Sequence, residues 1–319
     1  RYQIERKLGE GGMGEVYLAR HVLMGRPCAI KVVSPSLTRD PDAIGRFNRE
    51  ATNASRISHP NVCAVYDFGL TPDGLLYLAM EYLEGGTLTA ALAQGPLPLD
   101  RAVSILDQCA AGLAAAHELG IVHRDLKPDN VMLLQQRGRE VVKLVDFGIA
   151  KAGAGQGGQQ VTRTGLVVGT PEYMSPEQLS SDELDGRSDQ YSLALVFFKM
   201  ITGALPFEAT TAHEMMAKRL TERPRRLADV APGQRFPSGL QKVLDRALER
   251  KPEARFPTVE AFAAEVRIAA GPTAGTVGLP RTAVVRSPAR KSLMMGGIGA
   301  AVVAAGVAAW MLTNRPDQP

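Results

Sequence analysis

The sequence predicts an α+β fold in two lobes: a small antiparallel sheet carrying one helix, then a larger, mostly helical lobe, followed by a linker and one apolar helix. Three observations carry this. Short apolar runs with strand-like alternation, broken by Gly, Pro and Asp, crowd residues 1–83, whereas helical periodicity governs most of residues 84–270. Between apolar Ile121-Val122 and Val131-Met132-Leu133-Leu134, read as two short strands, lies the polar loop His123-Arg124-Asp125-Leu126-Lys127-Pro128-Asp129-Asn130. Beyond residue 270 the composition changes twice: residues 271–292 are rich in Pro, Gly, Thr and Arg, and Leu293 to Leu312 is uncharged.

Taken in order, Leu8 to Ala19 contains Gly9, Gly11 and Gly14 in the pattern G-x-G-x-x-G. Val16 and Leu18 then alternate with Tyr17 and Ala19 at the period of a strand, so the glycines belong to a hairpin and not to the strand-to-helix turn of a dinucleotide site. Lacking side chains, they let backbone N–H groups approach phosphate oxygens, and Val16 is placed to cap a base. The next strand, Pro27 to Val33, sets Lys31 inside an apolar run, where a lysine either snorkels to a strand end or serves a function. Downstream, Phe47, Glu50, Ala51, Ala54 and Ile57 share one helical face, which points Glu50 inward. A core-facing carboxylate is costly unless paired, and Lys31 is the nearby cation. Val62 to Phe68 and Leu75 to Tyr82 complete the sheet across the turn Thr71-Pro72-Asp73-Gly74, and Glu84-Gly85-Gly86 marks the lobe boundary. A long helix from about Leu99 to Leu119, stopped by Gly120, delivers the chain to His123. Val141 to Val145 is a buried strand ending at Asp146-Phe147-Gly148. Ser188-Asp189 opens a helix that is apolar nearly all round and so belongs in mid-core, and helices follow near 212–220, 240–248 and 259–269.

The polar loop changes the weight of these pieces. Asp125 and Asn130, five apart with Lys127 between them, match H-R-D-x-x-x-x-N, and D-F-G follows at Asp146, at the end of a strand. With the glycine hairpin, with Cys28-Ala29-Ile30-Lys31 in place of V-A-I-K, and with Glu50 and Ser175-Pro176-Glu177, the chain resembles the protein-kinase family over residues 1–270. More narrowly it is similar to bacterial, Hanks-type Ser/Thr kinases of the transmembrane receptor type. The resemblance implies the bilobal protein-kinase fold and transfer of the γ-phosphoryl group of ATP, with Mg²⁺ or Mn²⁺, to protein Ser and Thr hydroxyls. In that scheme Asp125 accepts the hydroxyl proton and Lys127 faces the transferring group, while Asn130 and Asp146 hold metal. Gly9, Gly11, Gly14, Val16, Ala29, Lys31, Glu50 and the backbone of Glu81 and Leu83 bind ATP, with Met80 behind the pocket. Asp189 holds the backbone of the polar loop, and Glu177 with Arg255 forms a buried ion pair.

Residues 152–160 are mostly Gly, Ala and Gln and lead into Val161-Thr162-Arg163-Thr164. An ordinary flexible loop is one reading. A kinase activation segment is the other, in which Thr162 and Thr164 are phosphorylated by another copy of the chain in a transient dimer, and Arg124 senses the phosphate. Gly169-Thr170-Pro171 resembles the segment that seats the acceptor, with Thr170 bonding Asp125 and Lys127.

Leu293 to Leu312 is long enough to span roughly 30 Å of hydrocarbon. A buried or interfacial helix is the alternative to a single membrane span. Arg286, Arg290 and Lys291 precede it and only Arg315 follows closely, which puts the N-terminal side in the cytoplasm and residues 313–319 outside. A start at Arg1 without a signal peptide reads as a fragment not directed to secretion at this end. The formal charge of +4 carries no Lys/Arg stripe interleaved with aromatics, which argues against a nucleic-acid partner. Cys28, Cys63 and Cys109 have no metal-ligand spacing. Two functions compete with the kinase: a membrane-anchored pseudokinase that only binds, and a small-molecule phosphotransferase. The first predicts loss of Lys31, Asp125 or Asp146, and all are present; the second predicts no Ser175-Pro176-Glu177 segment, and it too is present.

Overall fold

Alternation near the N-terminus builds β1 (Tyr2–Gly11), β2 (Gly14–His21) and β3 (Pro27–Val33), joined antiparallel. The computed structural model describes residues 1–11, 14–33, 41–147, 171–180 and 182–271, without the side chains of residues 41 and 43. The amphipathic helix follows as α1 (Pro41–Ser55), which buries Phe47, Ala51 and Ala54 and leaves Glu50 half-buried. β4 (Val65–Leu70) and β5 (Leu76–Glu81) complete a five-stranded sheet of order β1-β2-β3-β5-β4. In register, Val16 lies opposite Lys31, and Ala29 lies opposite both Leu18 and Met80. These residues therefore share one sheet face, as cross-strand partners do.

The second lobe opens with β6 (Gly85–Thr87) and α2 (Leu88–Leu92), two short elements without a sequence signature of their own. Next, α3 (Leu99–His117) buries Val103, Leu106, Ala110 and Leu113, and Gly120 at φ 71° reverses the chain. Ile121-Val122, expected as a strand, is not one; the polar loop is entered as irregular backbone and left through β7 (Val131–Gln136). β7 pairs with β8 (Arg139–Leu144) around a tight turn. After α4 (Pro176–Ser180), helix α5 (Gly186–Thr202) is buried along nearly its whole surface, including Tyr191, Leu193 to Phe198, Met200 and Ile201. It starts on an Asp185 cap and stops on Gly203 at φ 83°. Around it stand α6 (Ala212–Thr221), α7 (Leu227–Val230), α8 (Leu240–Ala247) and α9 (Val259–Ala270).

Among the described residues no helix is long and apolar enough to cross a membrane. The segment Leu293 to Leu312, the linker 271–292 beyond Gly271, and Thr162, Thr164 and Thr170 lie outside the described residues.

Candidate active site

The polar loop is held from beneath by Asp189, at the start of α5 and 1% exposed. Its Oδ2 accepts from the His123 N–H at 2.8 Å and its Oδ1 from the Arg124 N–H at 2.9 Å. His117 Nε2, at the end of α3, lies 2.7 Å from Oδ2. Burial alone would raise the Asp189 pKa, but the His117 contact and the backbone donors outweigh it and leave the carboxyl below its usual range. The expected scaffold role of Asp189 is what the bonds show. His123, fully buried, acts the same way: its Nδ1 accepts from the Asp125 N–H at 3.3 Å and its Nε2 donates to Val145 O at 3.0 Å.

Held so, the loop presents its chemistry on one side. Asp125 Oδ2 lies 3.1 Å from Lys127 Nζ and accepts from Asn130 Nδ2 at 3.1 Å. Asn130 Nδ2 also donates to Asp125 O at 2.7 Å, so the amide nitrogen faces the loop and its oxygen remains for another partner. The β7–β8 register, Val131 opposite Leu144, and a bond from the Val145 N–H to Asn130 O at 3.0 Å set Asn130 beside Asp146. Asp146 takes φ 61°, and Lys31 Nζ meets its Oδ2 at 2.8 Å.

That last contact corrects an expectation. Among the described residues Lys31 forms its ion pair with Asp146 rather than with Glu50. Asp146 follows the end of β8 and its carboxylate reaches Lys31 on β3, while Glu50 on α1 is half-buried. Lys31 itself is 8% exposed.

At the other end of the cleft, Ala29 and Met80 are buried, and Val16 and Leu83 are partly buried against the core. Gly14 has φ 135°, and a Cβ there would lie 1.9 Å from Val32 O, so only glycine fits. A Cβ added at Gly9 or Gly11 would meet nothing within 4 Å, so the space over this part of the β1–β2 hairpin is open.

A glycine hairpin, a buried lysine, an Asp-Lys-Asn loop and an Asp at a strand end thus face one cleft. The protein-kinase-domain family model matches residues 2–266. The chain belongs to the protein kinase family. It is 42% identical over 270 residues to the serine/threonine-protein kinase pkn3 of Myxococcus xanthus, covering 84% of this chain and 49% of that protein. It is 41% identical to the serine/threonine-protein kinase PknB of Mycolicibacterium smegmatis, covering 84% and 42% respectively. The crystal structure of the Mycobacterium tuberculosis PknI kinase domain superposes with a TM-score of 0.69 at 33% identity, covering 85% of this chain and 96% of that one. The chain therefore spans half or less of the length of the curated relatives it matches.

The kinase core is anchored to its C-terminal tail by Glu177 and Arg255, as expected. Arg255 Nη1 and Nη2 lie 2.8 and 2.7 Å from the two carboxylate oxygens, and Ser188 Oγ donates to Oε1 at 2.7 Å. Burial pushes the Glu177 carboxyl up, but the Arg255 fork brings it below its usual range. Sequence reasoning missed three supports. His117 was unremarkable at a helix end. Gln178, whose Nε2 donates to Arg124 O at 2.7 Å, had no motif. Arg219 on α6 belonged to no motif, yet it is fully buried and donates to Glu172 O and Met174 O, each at 2.6 Å. Arg124 is exposed at φ 65°, with both its peptide groups engaged by Asp189 and Gln178.

Proposed function

We propose that this chain transfers the γ-phosphoryl group of ATP to serine and threonine hydroxyls of proteins, its own activation segment included. The observation that carries this is the convergence of Asp125, Lys127, Asn130, Asp146 and Lys31 through bonds of 2.7–3.1 Å. The names of the relatives favour Ser/Thr acceptors. Adenine would meet the backbone of Glu81 and Leu83 and pack between Val16 and Ala29. Gly9, Gly11, Gly14 and Lys31 would bind the phosphates, with Asp146 holding Lys31. Asp125 takes the hydroxyl proton while the oxygen attacks the γ-phosphorus, and ADP leaves with the electron pair of the broken bond. Lys127 balances charge on the transferring group, so the residues act by positioning and electrostatics. The Asn130 amide oxygen and the Asp146 carboxylate are hard donors that fit Mg²⁺, or Mn²⁺ in its place, which when bound neutralises phosphate charge.

Incubation with γ-labelled ATP and Mg²⁺ tests this. Label on the protein's threonines from wild type and none from Asp125→Asn supports transfer. Absence of label from both points to a pseudokinase, and label only on added metabolites to a small-molecule phosphotransferase.

Thr162 and Thr164 are proposed as sites modified in trans within a transient dimer, with Thr170 seating the acceptor and Arg124 reading the phosphate; mass spectrometry of active protein with neither threonine modified would refute the first part. Leu293 to Leu312 is proposed to anchor the kinase to the cell membrane as a single pass, with residues 1–292 cytoplasmic. Recovery of the full chain in the soluble fraction overturns that.

A further inference from the structure

Lys143 lies on β8 three residues before Asp146, and the phosphoryl chemistry above does not use it. It is 9% exposed, a position costly for an ammonium unless it is paired. Its Nζ is 2.6 Å from Glu81 Oε2 and 3.3 Å from Val62 O. Glu81 ends β5, where the five-stranded sheet passes into the connection between the lobes. Its carboxylate also accepts from the Ala64 N–H at 3.3 Å, and its own N–H donates to Ala64 O at 2.8 Å. Residues 61–63 are in turn bonded to β8. The Leu144 N–H donates to Asn61 O and the Cys63 N–H to Leu144 O, both at 2.9 Å, and Asn61 Nδ2 donates to Val142 O at 2.8 Å.

One continuous set of bonds therefore runs from the strand that leads to Asp146 to Glu81, whose backbone is proposed to face adenine, and Lys143–Glu81 is its charged link. We propose that Lys143 is a positioning residue for the nucleotide: through Glu81 it sets the spacing between the adenine subsite and the Asp146 phosphate subsite. A buried lysine kept only for packing would touch one lobe. This one spans Val62, Glu81 and the strand leading to Asp146, and Glu81 is its single carboxylate partner among the described residues. Because the pair contacts neither acceptor nor transferring group, it acts on nucleotide binding and leaves the chemical step alone. The proposal rests on the ATP reading given above.

The test uses the full chain with Lys143→Met, Lys143→Arg, Glu81→Gln and the Met/Gln double variant, measuring kcat, KM for ATP, KM for a protein acceptor and Tm. Lys143→Met is expected to raise KM for ATP about fivefold with kcat and acceptor KM within about twofold, the signature of lost binding that is equal in ground and transition states. Lys143→Arg should return KM to within about twofold of wild type, and the double variant should match Lys143→Met, because both remove one link. If Lys143→Met does not fold, Glu81→Gln alone must raise KM for ATP in the same sense. An unchanged KM for ATP in an active variant overturns the positioning role, as does a parallel fall of kcat and rise of acceptor KM tracking Tm. A wild type that neither binds a fluorescent ATP analogue nor transfers label overturns the ATP reading instead.

Discussion

Two sets of opposite charges hold this kinase together, and they are built differently. At the active site, Lys31 meets Asp146 and Lys127 meets Asp125 through single contacts, with side chains 10–23% exposed. At the anchor, Arg255 uses all five N–H groups, on both Glu177 oxygens and on the carbonyls of Glu249, Arg187 and Arg250, with side chains 0% and 5% exposed. The anchor's hydrogen-bonding capacity is filled by the protein itself. The site's is only partly filled, which is what groups that exchange partners during a reaction require. A saturated, desolvated pair resists redirection because breaking it leaves a buried charge, whereas a partly wet pair trades one contact for another at small cost.

The largest expected effect breaks the comparison from the site's side. Asp125→Asn removes the proposed general base, a role worth on the order of 10²- to 10⁴-fold in rate, and labelled phosphate transfer should fall by that factor. The Tm should move little, since among the described residues the Asp125 carboxylate contacts only the partly exposed Lys127 and the Asn130 amide. A Tm loss as large as the activity loss would erase the distinction between the two charge sets. From the anchor's side, Arg255→Met strands Glu177 and should destabilise the chain by about 3–5 kcal/mol, read by urea unfolding, with activity per folded molecule retained.

Acidification sharpens the same contrast. Glu177 and Asp189 both titrate below their usual range in the folded chain. For a carboxyl depressed by folding, the stability it adds is complete above its unfolded pKa of roughly 4 and is lost as pH falls through the folded value. Stability should therefore decline on the acid side, and Glu177→Gln should flatten that limb while lowering the plateau. An acid limb of unchanged slope in Glu177→Gln assigns the decline to Asp189 and other carboxylates.

Much of the site was legible because its chemistry needs particular residue types at fixed spacing. Asp125, Lys127 and Asn130 lie on one loop, and the glycine pattern and the Asp146 turn are local. The Asp189 and Glu177–Arg255 roles were legible only through the family resemblance, since their partners are 65 to 78 residues away. What stayed hidden was long-range or unpatterned. The Lys31–Asp146 pair joins residues 115 apart, which no local pattern reports. Buried Arg219 has carbonyl partners, and carbonyls leave no trace in a sequence. His117, Gln178 and Lys143 act through contacts to residues 54 to 81 positions away. β6 and α2 are too short for any periodicity to show.

The smallest expected effect concerns backbone strain. Among the described residues, three without glycine's freedom take positive φ: Arg124 at 65°, Arg137 at 52° and Asp146 at 61°. Such a conformation costs on the order of 1–2 kcal/mol for a residue with a Cβ. Arg124 and Asp146 flank the reaction centre, where the turn aims a peptide group or a carboxylate. Arg137 lies in the exposed turn between β7 and β8, next to Gly138 at φ 75°, where positive φ at both central residues is what a tight hairpin demands. There the strain does nothing but close a turn. Arg137→Gly should relieve it against the added freedom of the unfolded chain, a net gain of at most about 1 kcal/mol, seen as a small rise in Tm with the labelling rate unchanged. Arg124→Gly relieves the same conformation, but it deletes the side chain proposed to read the phosphorylated threonines. Its labelling rate should then cease to depend on the phosphorylation state of Thr162 and Thr164, so equal phosphorylation dependence in Arg124→Gly and Arg137→Gly would show that the strain at both positions is only structural.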